Sequence, residues 1–243
     1  MRTMRLVAGL LVTARVAMAQ HGGHEQAPPD TGAVGAVDAS MGGRGHGAHA
    51  LHLAWTARRA SNAADSVRAD SVAAAARRAV ERFRDVRVAE AEGFRAFAPG
   101  VKQEVYHYTS WQNAVGEAFR FDVSRPTSLL YRKTRSGAME LVGVMYAMPA
   151  RASEEQLDAR VPLSIARWHR HVNLCVPPRG EPQRWLETRD GQPLFGPESP
   201  IATREACEAA GGRFLPQLFG WMVHANVFAA DAKDVWKEEH AAP

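Results

Sequence analysis

Residues 166–175 read A-R-W-H-R-H-V-N-L-C. Extended as a strand, this stretch has a side-chain period of two. One face carries His169, His171, Asn173 and Cys175, and the other carries Trp168, Arg170, Val172 and Leu174. Imidazoles at i and i+2 stand about 7 Å apart at Cα, close enough to converge on one metal ion. Residues 220–228, G-W-M-V-H-A-N-V-F, repeat the pattern with Met222, His224 and Asn226 in phase. The triplet H-x-N therefore occurs twice, each time on an apolar strand. A further histidine, His107, lies between Tyr106 and Tyr108 in E-V-Y-H-Y-T-S-W.

The chemistry these residues point to is transition-metal binding. Neutral imidazole suits zinc, copper, nickel and iron. The expected ligands are His169, His171 and His224, with His107 as a fourth. Asn173 and Asn226 are placed to orient the rings or hold a water, and the thioether of Met222 tilts the choice between copper and zinc towards copper. The blander reading is four half-buried histidines hydrogen-bonded to neighbouring backbone. Cys175 shares the nominal histidine face but lies about 13 Å along the strand from His171. It is expected to pair with Cys207, the other cysteine of the chain, as a disulfide.

Two other function classes are compatible with these residues. One is a metal-dependent enzyme, a hydrolase or oxidoreductase, whose three-histidine site keeps an open position for water or oxygen. His224 as a base with Asp158 or Glu187 is a variant of this reading. No nucleophile-elbow, H-E-x-x-H, phosphate-loop or dinucleotide motif singles out catalytic residues. The other class is a small-molecule or haem module lined by some of the six tryptophans. Trp168 and Trp221 are out of phase with the histidines and are expected in the core. No C-x-x-C-H is present for covalent haem.

The elements that must position these residues follow from periodicity. Apolar residues Val72, Ala76, Val80, Phe83, Val86 and Ala89 predict one long helix from residue 61 or 65 to about 92, stopped by Gly93. Strands are expected at 104–111, 128–133 and 139–148, the last two joined by a hairpin over 134–137. Ser153 and Gln156 form a capping box for a short helix. The H-x-H strand, a long Gly/Pro-rich loop over 179–200, a short helix capped by Thr203 and the H-x-N strand complete the set. The expected fold is one α+β domain over residues 60–230, with an antiparallel sheet of four or five strands packed on one long and two or three short helices.

The ends differ in composition. Residues 1–19 resemble a secretory signal peptide, with Arg2 and Arg5, an apolar run and the site Ala17-Met18-Ala19. Residues 20–55 form a His/Gly/Ala-rich linker containing His21, His24, His46, His49 and His52, expected to be disordered and able to bind metal weakly. Residues 231–243 form a polar tail. Without Arg2, Arg5 and Arg15 the formal charge of +4 falls to +1, which argues against a nucleic-acid partner. No apolar run reaches 18 residues, so no stable membrane insertion is expected once the signal is removed. Together these features predict a secreted, periplasmic protein whose partner is a metal ion or small molecule.

Overall fold

The computed structural model describes residues 50–99 and 103–237. The expected signal peptide, most of the expected His-rich linker and the last residues of the polar tail lie outside these. The fold is α+β, built on one seven-stranded antiparallel sheet. Its strands are β1 (Leu53–Trp55), β2 (Arg95–Ala96), β3 (Val105–Thr109), β4 (Ser128–Lys133), β5 (Met139–Met148), β6 (His169–Val176) and β9 (Arg213–Ala225), in the order β1-β6-β9-β5-β4-β3-β2. Strands β7 (Thr188–Arg189) and β8 (Gln192–Pro193) make a separate small hairpin inside the 179–200 loop. The helices are α1 (Ala63–Val80), α2 (Val86–Ala91), α3 (Trp111–Glu117), α4 (Glu154–Arg160) and α5 (Arg204–Ala209).

The sheet has more strands than the sequence predicts because β1 and β2 are three and two residues long, too short for a periodic signal. Strand β1 falls within the low-complexity linker as read from composition. It pairs with β6, and His52 beside it is fully buried, its Nε2 2.6 Å from the Ser199 carbonyl oxygen.

The expected long helix is divided. Asn62 caps α1: its side chain accepts from the Ala64 N–H, and Asp65 reaches back to the Asn62 N–H. A 3-10 turn over Glu81–Arg84 follows, then α2, capped by Asp85. The break has a tertiary cause. The Tyr131 hydroxyl donates to the Phe83 carbonyl oxygen at 2.6 Å, drawing it out of the helical ladder. Trp111, expected at a strand end, instead opens α3 after the N-cap Ser110. The Ser153/Gln156 capping box and the Thr203 cap form as expected.

Helices α1, α2 and α4 cover one face of the sheet. Ala69, Ala76 and Val80 of α1 join Phe83, Tyr108, Leu129, Tyr131, Val144, Tyr146, Trp168 and Val223 in one buried cluster. A second, smaller cluster surrounds the Cys175–Cys207 disulfide with Leu194 and Phe195. The loop closed by that bridge (sequence separation 32) is worth roughly 3–4 kcal/mol in the chain-entropy account.

Arg59 ties the chain ahead of α1 to α4, binding Asp65 and Asp158 at 2.6 Å each. The Arg59 guanidinium, followed by Ser164 and the Asn62 N–H, holds the Asp65 carboxyl well below the usual carboxylate range although the side chain is buried. Among the described residues no helix is long and apolar enough to cross a membrane.

Candidate metal centre

The four histidines come from three strands. His107 is on β3, His169 and His171 on β6, and His224 on β9. Cross-strand partners share a face of the sheet. His107 pairs with Leu130, Leu130 with Gly143, Met145 with His224, and Met222 with His169. All four imidazoles therefore belong to the face opposite α1, α2 and α4.

Strands β3 and β9 are three steps apart in the sheet, about 14 Å if it were flat. Yet His107 Nε2 and His224 Nε2 are 3.4 Å apart. Phe97, just past the edge strand β2, lies 5.6 Å from the ring of Phe219 on β9, four steps away. Such closures require the sheet to curl, with the histidines on its concave side. The ring of His169 is 5.0 Å from that of His224 and 5.7 Å from that of His171. His169 and His224 are buried, while His107 and His171 are partly accessible.

Two glycines permit the close pairing of β5 with β9. The pairs run from Val144↔Ala225 to Met148↔Trp221. Gly143 and Gly220 stand one residue beyond each end. A Cβ on Gly143 would meet the Ala225 carbonyl oxygen at 2.4 Å, and one on Gly220 the Met148 carbonyl oxygen at 1.9 Å. The β6–β9 register shifts between His169, opposite Met222, and His171, opposite Leu218, so β9 carries two extra residues there. Phe219, inside this bulge, has φ +63° and is exposed, near Trp111 and Phe97. These three aromatics form a rim that periodicity does not indicate.

The floor beneath the rings is apolar. Leu130, Met145 and Met222 form their own buried cluster. Each is the cross-strand partner of a histidine: Leu130 of His107, Met145 of His224, Met222 of His169. Met222 is visible in the sequence by its phase with His224. Met145 is not, because only the β5–β9 register places it beside that ring. Trp55 of β1 stands opposite His169, with ring centroids 4.9 Å apart.

The other residues that the sequence singles out lie elsewhere or face other partners. The side-chain amide of Asn226 donates to the carbonyl oxygens of Asp234 and Lys237, holding the chain that follows β9. Asn173 adopts φ +55°, a left-handed conformation that Asn tolerates better than most residues. Cys175 is bonded to Cys207 and is no thiolate ligand. Of the two acids considered as partners for His224, Asp158 is bound by Arg59 and Arg68, and Glu187 by Arg184. Both arginine-bound carboxyls are held below their ordinary range.

Glu117, at the end of α3, is a buried carboxyl with no signal in the sequence. It accepts from Thr127 Oγ1 and from the Ala147 N–H. Burial pushes it up to about 7, against the pull of those hydrogen bonds and of Arg160.

Among the described residues no three His, Cys, Asp or Glu side chains stand together in a ready metal-holding arrangement. The rings run in a chain of neighbours, His107 5.2 Å from His224, His224 5.0 Å from His169 and His169 5.7 Å from His171. No family model matches this chain, and neither a curated protein nor a solved structure matches it.

Proposed function

We propose that the concave face binds one transition-metal ion, copper or zinc, through His107, His169, His171 and His224. The observation that carries this reading is the 3.4 Å between His107 Nε2 and His224 Nε2. Two imidazole nitrogens at 2.0–2.1 Å from one tetrahedral ion stand about 3.3–3.4 Å apart. A ring-to-ring hydrogen bond prefers about 2.9–3.0 Å. The pair thus has the bite of a metal chelate before any ion arrives. Rotation of the His169 and His171 rings, both close by, completes the set. The apolar floor and curled sheet exclude water from beneath, which strengthens ligation.

The compartment we propose is the periplasm. The buried disulfide is the kind of bond an oxidising compartment preserves, and the first residues read as an export signal.

Thermal denaturation tests the reading. An ion that binds only the folded chain stabilises it by about 2.7 kcal/mol at a hundredfold excess over Kd. Zinc or copper should raise the Tm of the wild-type chain and leave that of the His107→Ala/His224→Ala variant where it was. Equal shifts in both proteins would reject the site.

A further inference from the structure

We infer that the ion this centre selects is copper in its +1 state, with the thioether sulfurs of Met145 and Met222 as ligands from the floor. The inference rests on the reading of the four histidines as a metal site.

Three buried side chains, flanked by Val105 and Val142, make the floor, and two of the three are methionine where a purely apolar floor needs only Leu or Val. The two sulfurs are not placed at random. Met145 is the cross-strand partner of His224, and Met222 that of His169. Directly opposed residues on one face have Cβ atoms about 4.5–5.5 Å apart, within reach of a flexible three-torsion side chain. Both methionines are 6% exposed, so their sulfurs are not spent on solvent. Ala147, also paired with Met222, is small and leaves that side chain room to turn.

The charge of the donor set points the same way. Imidazole and thioether are both neutral ligands. Asp158 and Glu187 are neutralised by arginines, and Cys175 and Cys207 are bonded to each other. An ion among neutral donors keeps its full charge, and the cost of desolvating it rises steeply with that charge. A monovalent soft ion suits such a site better than a divalent one, and thioether sulfur selects Cu(I) over Zn(II).

The test is a pair of anaerobic titrations on the full-length apoprotein. One uses Cu(I) competed by a chromophoric Cu(I) chelator, and the other uses Zn(II). Three proteins are compared: wild type, Met145→Leu/Met222→Leu, and His107→Ala/His224→Ala. The last measures binding by the rest of the chain, including the N-terminal histidines. Met-to-Leu exchange preserves volume, so the floor stays packed.

The expected result is a Cu(I) site in wild type above that background. The double-Leu variant should weaken it by about tenfold or more while changing Zn(II) affinity by less than about threefold. Unchanged Cu(I) affinity in the double-Leu variant would overturn the thioether assignment and leave the histidine site standing. Identical binding of both ions by wild type and the histidine variant would overturn the histidine site itself, and this inference with it.

Discussion

The two faces of the curled sheet are made from alternate residues of the same strands, yet they differ in kind. On β5, Val144 and Tyr146 enter the core under the helices, while Met145 lies on the concave side. On β9, Val223 and Ala225 go to the core, and Met222 and His224 to the other face. On β3, Tyr108 is in the core and His107 is opposite. The convex face is closed to solvent: Trp168, Tyr131 and Tyr146 have no exposed surface, and both tyrosine hydroxyls donate to backbone carbonyls. The concave face sets four histidines over an apolar floor of Leu130, Met145 and Met222. A core built only for stability would repeat the first solution on both sides. The second arrangement is the one on which the proposed metal site rests.

That contrast predicts different responses to substitution. Trp168→Ala on the convex side should cost about 3–5 kcal/mol in urea denaturation. If it costs less than substitutions on the histidine face, the division of labour is wrong.

Cys175→Ser with Cys207→Ser should cost about 3–4 kcal/mol. Metal binding by the folded fraction should survive, because the bridge lies in a cluster separate from the rings.

The pH dependence has two limbs of opposite sign. Glu117 rises from an ordinary 4.5 to about 7 on folding. The folded chain then holds more protons than the unfolded one between these values. Its contribution is present below pH 4.5 and is lost as pH climbs through 7, about 3 kcal/mol at about 1.4 kcal/mol per unit. Asp65 is depressed, so its contribution is present above its ordinary 3.8 and lost as pH falls below that. Urea midpoints across pH 2–8 should show the upper limb flattened in Glu117→Gln and the acid limb flattened in Asp65→Asn.

Gly143→Ala should cost about 1–3 kcal/mol by forcing β5 away from Ala225, and should weaken metal binding because Ala225 is the immediate neighbour of His224 on the partner strand. A variant with native metal affinity would show that the close pairing does not set the site.

The smallest effect belongs to His107→Ala. This partly accessible side chain should change stability by less than about 1 kcal/mol while removing one half of the proposed chelating pair and weakening metal binding in the Cu(I) titration.

Much of the local structure is legible in the sequence. The β4–β5 hairpin, the β6 strand, the caps at Ser153 and Thr203 and the cysteine pairing each follow from a pattern a few residues long. The long helix departs from its periodicity at Phe83, whose carbonyl is claimed by Tyr131, 48 residues away. Leu53–Trp55 reads as linker because its partner strand, β6, lies more than a hundred residues later.

The histidines are visible as residues, and their face can be read from phase. Their proximity across strands cannot. It depends on the sheet order, on the curl and on Gly143 and Gly220, whose need arises only from backbone that returns beside them. Met145 and the Phe97–Trp111–Phe219 rim are invisible for the same reason. Long-range register, not propensity, decides them.

The most direct measurement is metal content by mass spectrometry on the protein with its N-terminal histidines intact, purified without an added histidine tag. A variant with all four histidines replaced by alanine is measured beside it. The N-terminal histidines contribute equally to both, so the difference reports the concave face alone. The account predicts about one more copper or zinc ion per chain in the wild type. Equal metal content in two equally folded proteins would contradict it, and the four histidines would then be polar packing on the open side of the sheet.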